Sequence, residues 1–363
     1  MMSGELLTNL QTNPLAEQNF LDYAMEHDFG DLHFKVDPKT GLKAIIAIHN
    51  TNLGPALGGC RFIEYPNIES AIYDAMRLAR GMSYKAALVD LPLGGGKSVI
   101  IKPPHDFDRR AYFHIFGKFV EELNGRYITA LDSGTELSDM DIIHQHTRHV
   151  ASLSKYNGDP SPYTANGVVK GIEAAVEFKF GKDSLEGLII AIQGLGHVGM
   201  HIAHLLYRKG AKLTVADINP DNVAKAEKEF SAKSVSTIDI HRVDCDVFSP
   251  CALGAVLNDQ SITELQTTIV AGAANNQLAH SYHGQVLHEK GILFAVDYVI
   301  NSGGLIFAAS KYLTHSEELV QNKINGIKTV MLDIFSRSAA QNQPTNLIAD
   351  QRAREKIAQA DKS

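Results

Sequence analysis

"IIAIQGLGHVGMHIAHLLYRKGAKLTVADIN", residues 189–219, decides the fold class. An apolar run leads into Gly194, Gly196 and Gly199 in GxGxxG spacing, and a helix-compatible stretch follows. A second apolar run then ends in Asp217, eighteen residues after Gly199. A lone GxGxxG is a weak signal, but a strand, a glycine turn, a helix and an acid-terminated strand in that order make a dinucleotide-binding βαβ unit. Gly194 allows the tight turn, Gly196 lets a pyrophosphate approach the N–H groups at the helix N-terminus, and Gly199 lets helix and strand pack closely. Asp217 can accept hydrogen bonds from both adenine-ribose hydroxyls and repels a 2′-phosphate, which favours NAD over NADP. A methyltransferase that binds S-adenosylmethionine also uses a glycine turn and an acid, and this half of the chain alone does not exclude it.

The rhythm continues on both sides of this unit. A helix over 165–180 precedes it. After the strand "GLIIAIQG" come a helix over 197–209, the strand "KLTVAD", a helix over 220–230, and short strands at 244–249, 267–271 and 292–300. Alternation of this kind predicts a parallel, doubly wound sheet. Upstream, "DLHFKVD" and "LKAIIAIHN" read as paired strands around "PKTG". "NIESAIYDAMRLARGMSYKAA" spaces Ile68, Ile72, Met76, Ala79 and Met82 as an amphipathic helix. "SVIIKP" and "RYITALD" read as short buried strands with the helix "RRAYFHIFGKFVEELNG" between them, and "ELSDMDIIHQHTRHV" as a further helix capped by Ser138 or Asp139. The Gly-, Pro-, Ser- and Asn-rich "SKYNGDPSPYTANG", 154–167, marks a boundary. The expectation is an α/β chain of two domains. Residues 1–150 form an α/β substrate and oligomerisation domain with a mixed sheet, joined by C-terminal helices over 332–363. Residues 151–331 form a Rossmann-type NAD-binding domain. The tail "NLIADQRAREKIAQADKS" reads as a surface helix.

Composition narrows the classes. The chain has 363 residues, 44% hydrophobic and 21% charged, with a net charge of −7. That suits two globular domains and argues against nucleic acid as a partner. Cys60, Cys245 and Cys251 are odd in number and lack CxxC spacing, which fits a reducing cytoplasm. "MMSGELLTNL" has no signal-peptide pattern, and no apolar run is long enough to span a bilayer.

The first half carries its own chemistry in "DLPLGGGKSVIIKP", 90–103. A P-loop needs glycine six positions before its lysine, and Leu91 stands there. The alternative is a pair of lysines, Lys85 and Lys97, around a carboxylate substrate. One stays charged as an ion-pair partner. The other, beside a like charge and shielded from water, loses its proton easily enough to act as a general base. The glycines would leave room for substrate and water. "TALDSGT" adds Asp132 at a strand end.

"GPALGGCR", "MSYKAALVDLPLGGGK", "TALDSGT", "GLGHVG…VADIN" and "AGAANNQL" occur in this order. The set resembles the Glu/Leu/Phe/Val dehydrogenase family from about residue 30 to 310, and most closely its leucine-acting members. The resemblance implies NAD-dependent, reversible oxidative deamination of an L-amino acid. It implies that Lys85 and the N–H groups near Gly58 and Gly59 hold the substrate carboxylate, and that Lys97 activates water. Asp132 would exchange protons with the substrate nitrogen and Asn276 would orient the amino group. Thr164 and Asn275 would lie along the cofactor, with Asp217 on the adenosine ribose. Homo-oligomers are the family's rule.

In relatives the side-chain pocket is built from positions matching Leu57, Ala130, Leu305 and Ala308. All four are apolar here, which favours leucine, valine or isoleucine, disfavours glutamate and leaves phenylalanine open. Cys60 reads as a small buried residue. His144, His146 and His149 on one predicted helix, with His201 and His204 on another, lack the partners of a metal site. A non-catalytic NAD-binding sensor is the alternative of a different class, although it has no reason to keep Lys85, Lys97, Asp132 and Asn276.

Overall fold

Strand β1 (Asp31–Asp37) turns back into β2 (Leu42–Asn50), which pairs antiparallel with it from Asp31–Ile48 to Asp37–Leu42. In this computed structural model residues 19–156, 158–314 and 316–360 are described. The opening "MMSGELLTNL", position 157 of the boundary stretch and the last three residues of the tail lie outside them.

A short helix, α1 (Phe20–Glu26), precedes the hairpin. After it come β3 (Ala56–Ile63), α2 (Ile68–Leu88), β4 (Gly94–Ile101), α3 (Arg109–Glu122), β5 (Tyr127–Leu131) and α4 (Leu137–His144). The sheet order is β1-β2-β4-β3-β5. β2 runs antiparallel to β4, while β3 runs parallel to both β4 and β5, so the sheet is mixed, as expected. Apolar side chains fill both of its faces. Phe62 clusters with Tyr112, Phe113 and Phe116 of α3 on one face, and Ile45 and Val99 with Ala75 and Met76 of α2 on the other.

The second domain starts with α5 (Ser161–Phe180) and continues through β6 (Ile189–Gln193), α6 (His197–Arg208), β7 (Lys212–Ala216), α7 (Pro220–Phe230), β8 (Lys233–Ser234) and β9 (Cys245–Pro250). Then follow α8 (Asp259–Glu264), β10 (Thr267–Val270), α9 (His283–Glu289), β11 (Leu293–Phe294), α10 (Asp297–Ile300) and α11 (Gly303–Leu313). The six strands are all parallel in the order β11-β10-β9-β6-β7-β8, the doubly wound arrangement.

Helices α12 (Glu317–Gln341) and α13 (Thr345–Ala360) end the described chain. α13 buries Ile348, Ala349, Ala353 and Ile357, so the expected surface helix is exposed on one face only. It reaches back to the first domain. Asn52 Nδ2 donates to Ile357 O at 3.4 Å, and Lys356 Nζ meets Asp90 Oδ1 at 2.6 Å. Lys323 on α12 donates to Asp90 O at 2.6 Å. Both cations hold the loop that leads into β4.

Four local expectations are corrected. The predicted strand over 292–300 is a two-residue strand followed by helix α10, because buried Asp297 accepts the Gln277 and Tyr298 N–H groups and starts a helical turn. Helix 165–180 begins earlier, at Ser161 with Pro162 in its first turn, so part of the proposed boundary stretch is helical. The N-cap of α4 is Glu136, with Asp139 completing a capping box. That helix ends at His144, which leaves His146 and His149 beyond it.

Candidate functional site

Lys97 lies inside β4, opposite Ala47 of β2. It is 6% exposed. Its Nζ contacts Asp132 Oδ2, from the turn after β5. Burial drives the Lys97 ammonium down to about 7, and the Arg61 guanidinium adds to the push. The Asp132 carboxylate works the other way. The charges facing Lys97 are thus Asp132, Arg61, Asp74 and Arg77, together with the Cys60 thiol. Lys85 is not the like charge that crowds it; Arg61 takes that place. Burial raises the Cys60 thiol to about 12, which leaves it inert at neutral pH.

The glycine triplet serves packing rather than space for substrate. A methyl on Gly95 would sit 2.0 Å from Ser83 N, and one on Gly96 would meet the Tyr127 ring at 2.7 Å. Gly94 to Gly96 are buried, and they let β4 press against α2 and its neighbours. Gly59 does clear space at the site: its missing methyl would lie 2.7 Å from the Asp132 carboxylate. The β3–β4 ladder pairs Leu57 with Gly95 and Cys60 with Ser98 but passes over Gly58 and Gly59 between them. Tyr127 donates to Gly58 O at 2.8 Å from behind.

Lys85, on the last turns of α2, donates to Asn301 Oδ1 at 2.7 Å. Asn301 Nδ2 in turn donates to Asn275 Oδ1 at 2.8 Å and Ala273 O at 3.2 Å. Burial lowers the Lys85 ammonium to about 8, against the pull of Asp297. Burial also raises the Asp297 carboxyl. Asn276 has φ of +51°, which turns the loop back on itself. Gln277 pins that loop by donating to Gly272 O at 2.7 Å and Ala274 O at 3.0 Å. Asn301 is a site residue the sequence reading missed. It is the C-cap of α10, and nothing in the local "INSGG" pattern marks it as a partner of Lys85.

Around the glycine turn, Gly194 has φ of +97° and a methyl on Gly199 would strike Gly194 O at 2.0 Å. Gly196 forms the N-cap of α6, and a methyl there would have nothing within 4 Å. The helix N-terminus is therefore open to an anionic group, as a dinucleotide pyrophosphate requires. Asp217 follows β7, and its oxygens accept from the N–H groups of Leu195 and Asn219. Thr164, on the first turn of α5, lies against Gly304 of α11.

Of the expected pocket residues, Leu57 is buried on β3, and Ala130 on β5 is paired with Gly59. Leu57 belongs to the large core that Ala130 and Leu305 pack against. Ala308 is half-buried on α11 and is not part of that core. The histidines make local contacts. His146 bonds His114 at 2.7 Å, His149 meets the Tyr312 hydroxyl at 3.0 Å, and His144 meets Thr147 O at 3.2 Å. Among the described residues no group of three or more metal-ligating side chains is assembled.

A doubly wound domain of nucleotide-binding type, tied by Asn301 to Lys85 on a mixed-sheet domain that carries a buried lysine–aspartate pair, is the arrangement of a two-domain dehydrogenase. Family models agree: residues 29–149 match "Glu/Leu/Phe/Val dehydrogenase, dimerisation domain" and residues 215–363 match "Glutamate/Leucine/Phenylalanine/Valine dehydrogenase". The chain belongs to this family of amino-acid dehydrogenases. It is 48% identical to the leucine dehydrogenase of Geobacillus stearothermophilus over 92% of each chain. It is 40% identical to the phenylalanine dehydrogenase of Caldalkalibacillus thermarum, over 93% of this chain and 92% of that one. The crystal structure of L-tryptophan dehydrogenase from Nostoc punctiforme superposes with a TM-score of 0.87 at 39% identity, covering 94% of this chain and all of that one.

Proposed function

We propose that the chain catalyses the reversible, NAD-dependent oxidative deamination of a branched-chain L-amino acid, leucine foremost, to its 2-oxo acid and ammonia. The observation that carries this reading is the buried Lys97 amine, lowered to about 7 and in contact with Asp132. Similarity to leucine dehydrogenases supports the substrate class.

Lys85 and the Gly58–Gly59 backbone hold the substrate carboxylate. Two features support this: those glycines pair with Thr129 and Ala130 of β5 but are passed over by the β3–β4 ladder, and Lys85 is held in place by Asn301. Asn276 accepts from the substrate amino group through its side-chain carbonyl. The Gly194, Gly196 and Gly199 turn would hold the cofactor's pyrophosphate, Asp217 its adenosine ribose, and Thr164 and Asn275 the rest of it. Such a cofactor would supply the hydride acceptor for the substrate Cα hydrogen. Neutral Lys97 then removes a proton from the water that adds to the imine carbon. Asp132, which first takes a proton from the substrate ammonium, returns it to the nitrogen, and then accepts the hydroxyl proton as ammonia leaves and the carbonyl forms. Enclosure of the substrate keeps bulk water from the imine. Leu57, Ala130, Leu305 and Ala308 line the side-chain pocket.

We assign residues 1–150, with 332–363 returning to them, to substrate binding and subunit contact, and 151–331 to the cofactor. We further read the protein as a cytoplasmic homo-oligomer. The description of its first part as a dimerisation domain and its free cysteines support that reading. Among the described residues no helix is long and apolar enough to cross a membrane.

The test is absorbance of reduced nicotinamide with leucine, valine, isoleucine and phenylalanine. Branched substrates are expected to give the highest kcat/KM. Flat traces with all four, with NAD still bound, would leave a non-catalytic NAD sensor as the reading.

A further inference from the structure

Asp132 lies between two cations. Its Oδ2 contacts Lys97, and its Oδ1 is 3.8 Å from Arg61 Nη2. Arg61 sits on β3 two residues after Gly59, the glycine whose bare Cα admits the Asp132 carboxylate. The guanidinium is anchored from its other side: Nη1 donates to Asp74 Oδ2 at 2.8 Å. Asp74 comes from α2 and is only 2% exposed. It also accepts from Arg77 at 2.9 Å and from the Tyr65 hydroxyl at 2.7 Å. Burial pushes the Asp74 carboxyl up, but Arg61 and Arg77 outweigh it and hold the group below its usual range.

We propose that Arg61, locked in place by Asp74, is a positioning residue for the Lys97–Asp132 pair: it fixes one carboxylate oxygen and keeps a permanent positive centre beside the Lys97 amine. This inference rests on the reading of Lys97 as the base. Arginine suits the task because its guanidinium never deprotonates and can bridge two carboxylates at once. A lysine base needs a fixed positive neighbour, and Lys85 does not supply it.

The groups facing Lys97 come from three elements. β3 brings Arg61 and the Cys60 thiol, α2 brings Asp74 and Arg77, and the turn after β5 brings Asp132. Arg61 and Arg77 favour the neutral amine, and Asp74 favours the ammonium. Deleting the Arg61 charge therefore strengthens the hold of Lys97 on its proton, while deleting the Asp74 charge weakens it. Two shifts of opposite sign from two partners in one ion pair separate this role from a structural one, because loosening of the network alone would move both variants the same way.

The experiment follows Lys97 directly by its pH-dependent acetylation with acetic anhydride, read by peptide mass spectrometry in the full-length protein, and follows kcat/KM for leucine in parallel. Arg61→Gln is expected to raise the labelling midpoint and the ascending kcat/KM limb by about one pH unit. Asp74→Asn is expected to lower both, and Arg61→Lys to restore the wild-type midpoint. An Arg61→Gln protein with wild-type melting and an unmoved midpoint overturns the proposal. Should Arg61→Gln fail to fold, the other two variants decide: a midpoint lowered in Asp74→Asn and unmoved in Arg61→Lys supports it, and any other pattern overturns it. Labelling needs no turnover. Inactivity of the wild type towards every amino acid would overturn the assigned reaction while this arm still reads out the role of Arg61.

Discussion

Lys85 Nζ donates to Asn301 Oδ1 at 2.7 Å, which ties the last turns of a helix on the mixed sheet to a helix end in the nucleotide domain. The same amide reaches Asn275 at 2.8 Å. One side chain thus connects the residue assigned to the substrate carboxylate with the loop assigned to the cofactor.

Asn301→Ala is expected to raise KM for the amino acid by about tenfold or more, since a hydrogen bond to a charged group is worth ~1.5–3 kcal/mol. Asn301→Asp should weaken amino-acid binding further, because the new carboxylate competes for Lys85. Lys85→Ala should act mainly on KM as well. Steady-state kinetics at saturating NAD check all three, and an unchanged KM in Lys85→Ala would remove that lysine from the carboxylate site.

Lys97→Gln is expected to lower kcat by about 10²–10⁴ while NAD affinity, measured by calorimetry, stays near wild type. Full activity would refute the base assignment.

The pH dependence follows from the two lysines. Lys97 must be neutral and has been brought down to about 7, so kcat/KM is expected to rise with pH through that value. Lys85 must be charged and lies at about 8, so in the free enzyme kcat/KM is expected to fall above it. The stability sign is separate. Lys97 binds its proton less tightly folded than unfolded, where a lysine titrates near ~10.4. Between those values the unfolded chain holds more protons, and the Lys97 contribution to stability improves as pH rises. A pH series of initial rates and of melting temperatures tests both.

Asp217→Ala is expected to weaken NAD and relax discrimination against NADP. The carboxylate also accepts the Leu195 and Asn219 N–H groups, so the variant should melt lower too. A variant that still ignores NADP in a direct comparison of kcat/KM would contradict the role assigned to this charge.

Gly95→Ala places a methyl 2.0 Å from a backbone nitrogen of α2 that cannot yield. Overpacking of this kind costs about 1–3 kcal/mol or more. Lower melting together with lost turnover is expected, because the same strand carries Lys97. Wild-type melting would mean that the triplet is not a packing device.

The doubly wound half was legible because a βαβ unit is written in local order: strand, turn, helix, acid-ended strand. The catalytic half was legible only in part. β3 was overlooked because Gly58 and Gly59 interrupt its apolar pattern, although Ala56, Cys60 and Phe62 are buried around them. The cation beside Lys97 was expected to be Lys85, its neighbour in sequence. Strand pairing brings Arg61 there instead, and no spacing rule encodes that. Asn301 was missed for the same reason, since its partners Lys85 and Asn275 are distant along the chain. The predicted strand over 292–300 failed because a short apolar run looks the same whether it becomes a strand or a buried helical turn.

The last described helix reaches the loop before Lys97 by way of Lys356 and Asp90, so residues far apart in the sequence meet at the entrance to the strand that carries this amine. Lys323 holds the same loop from the helix before it. Loss of the last described helix would therefore leave every residue assigned to the reaction in the chain, and this loop with one tether, Lys323, in place of two.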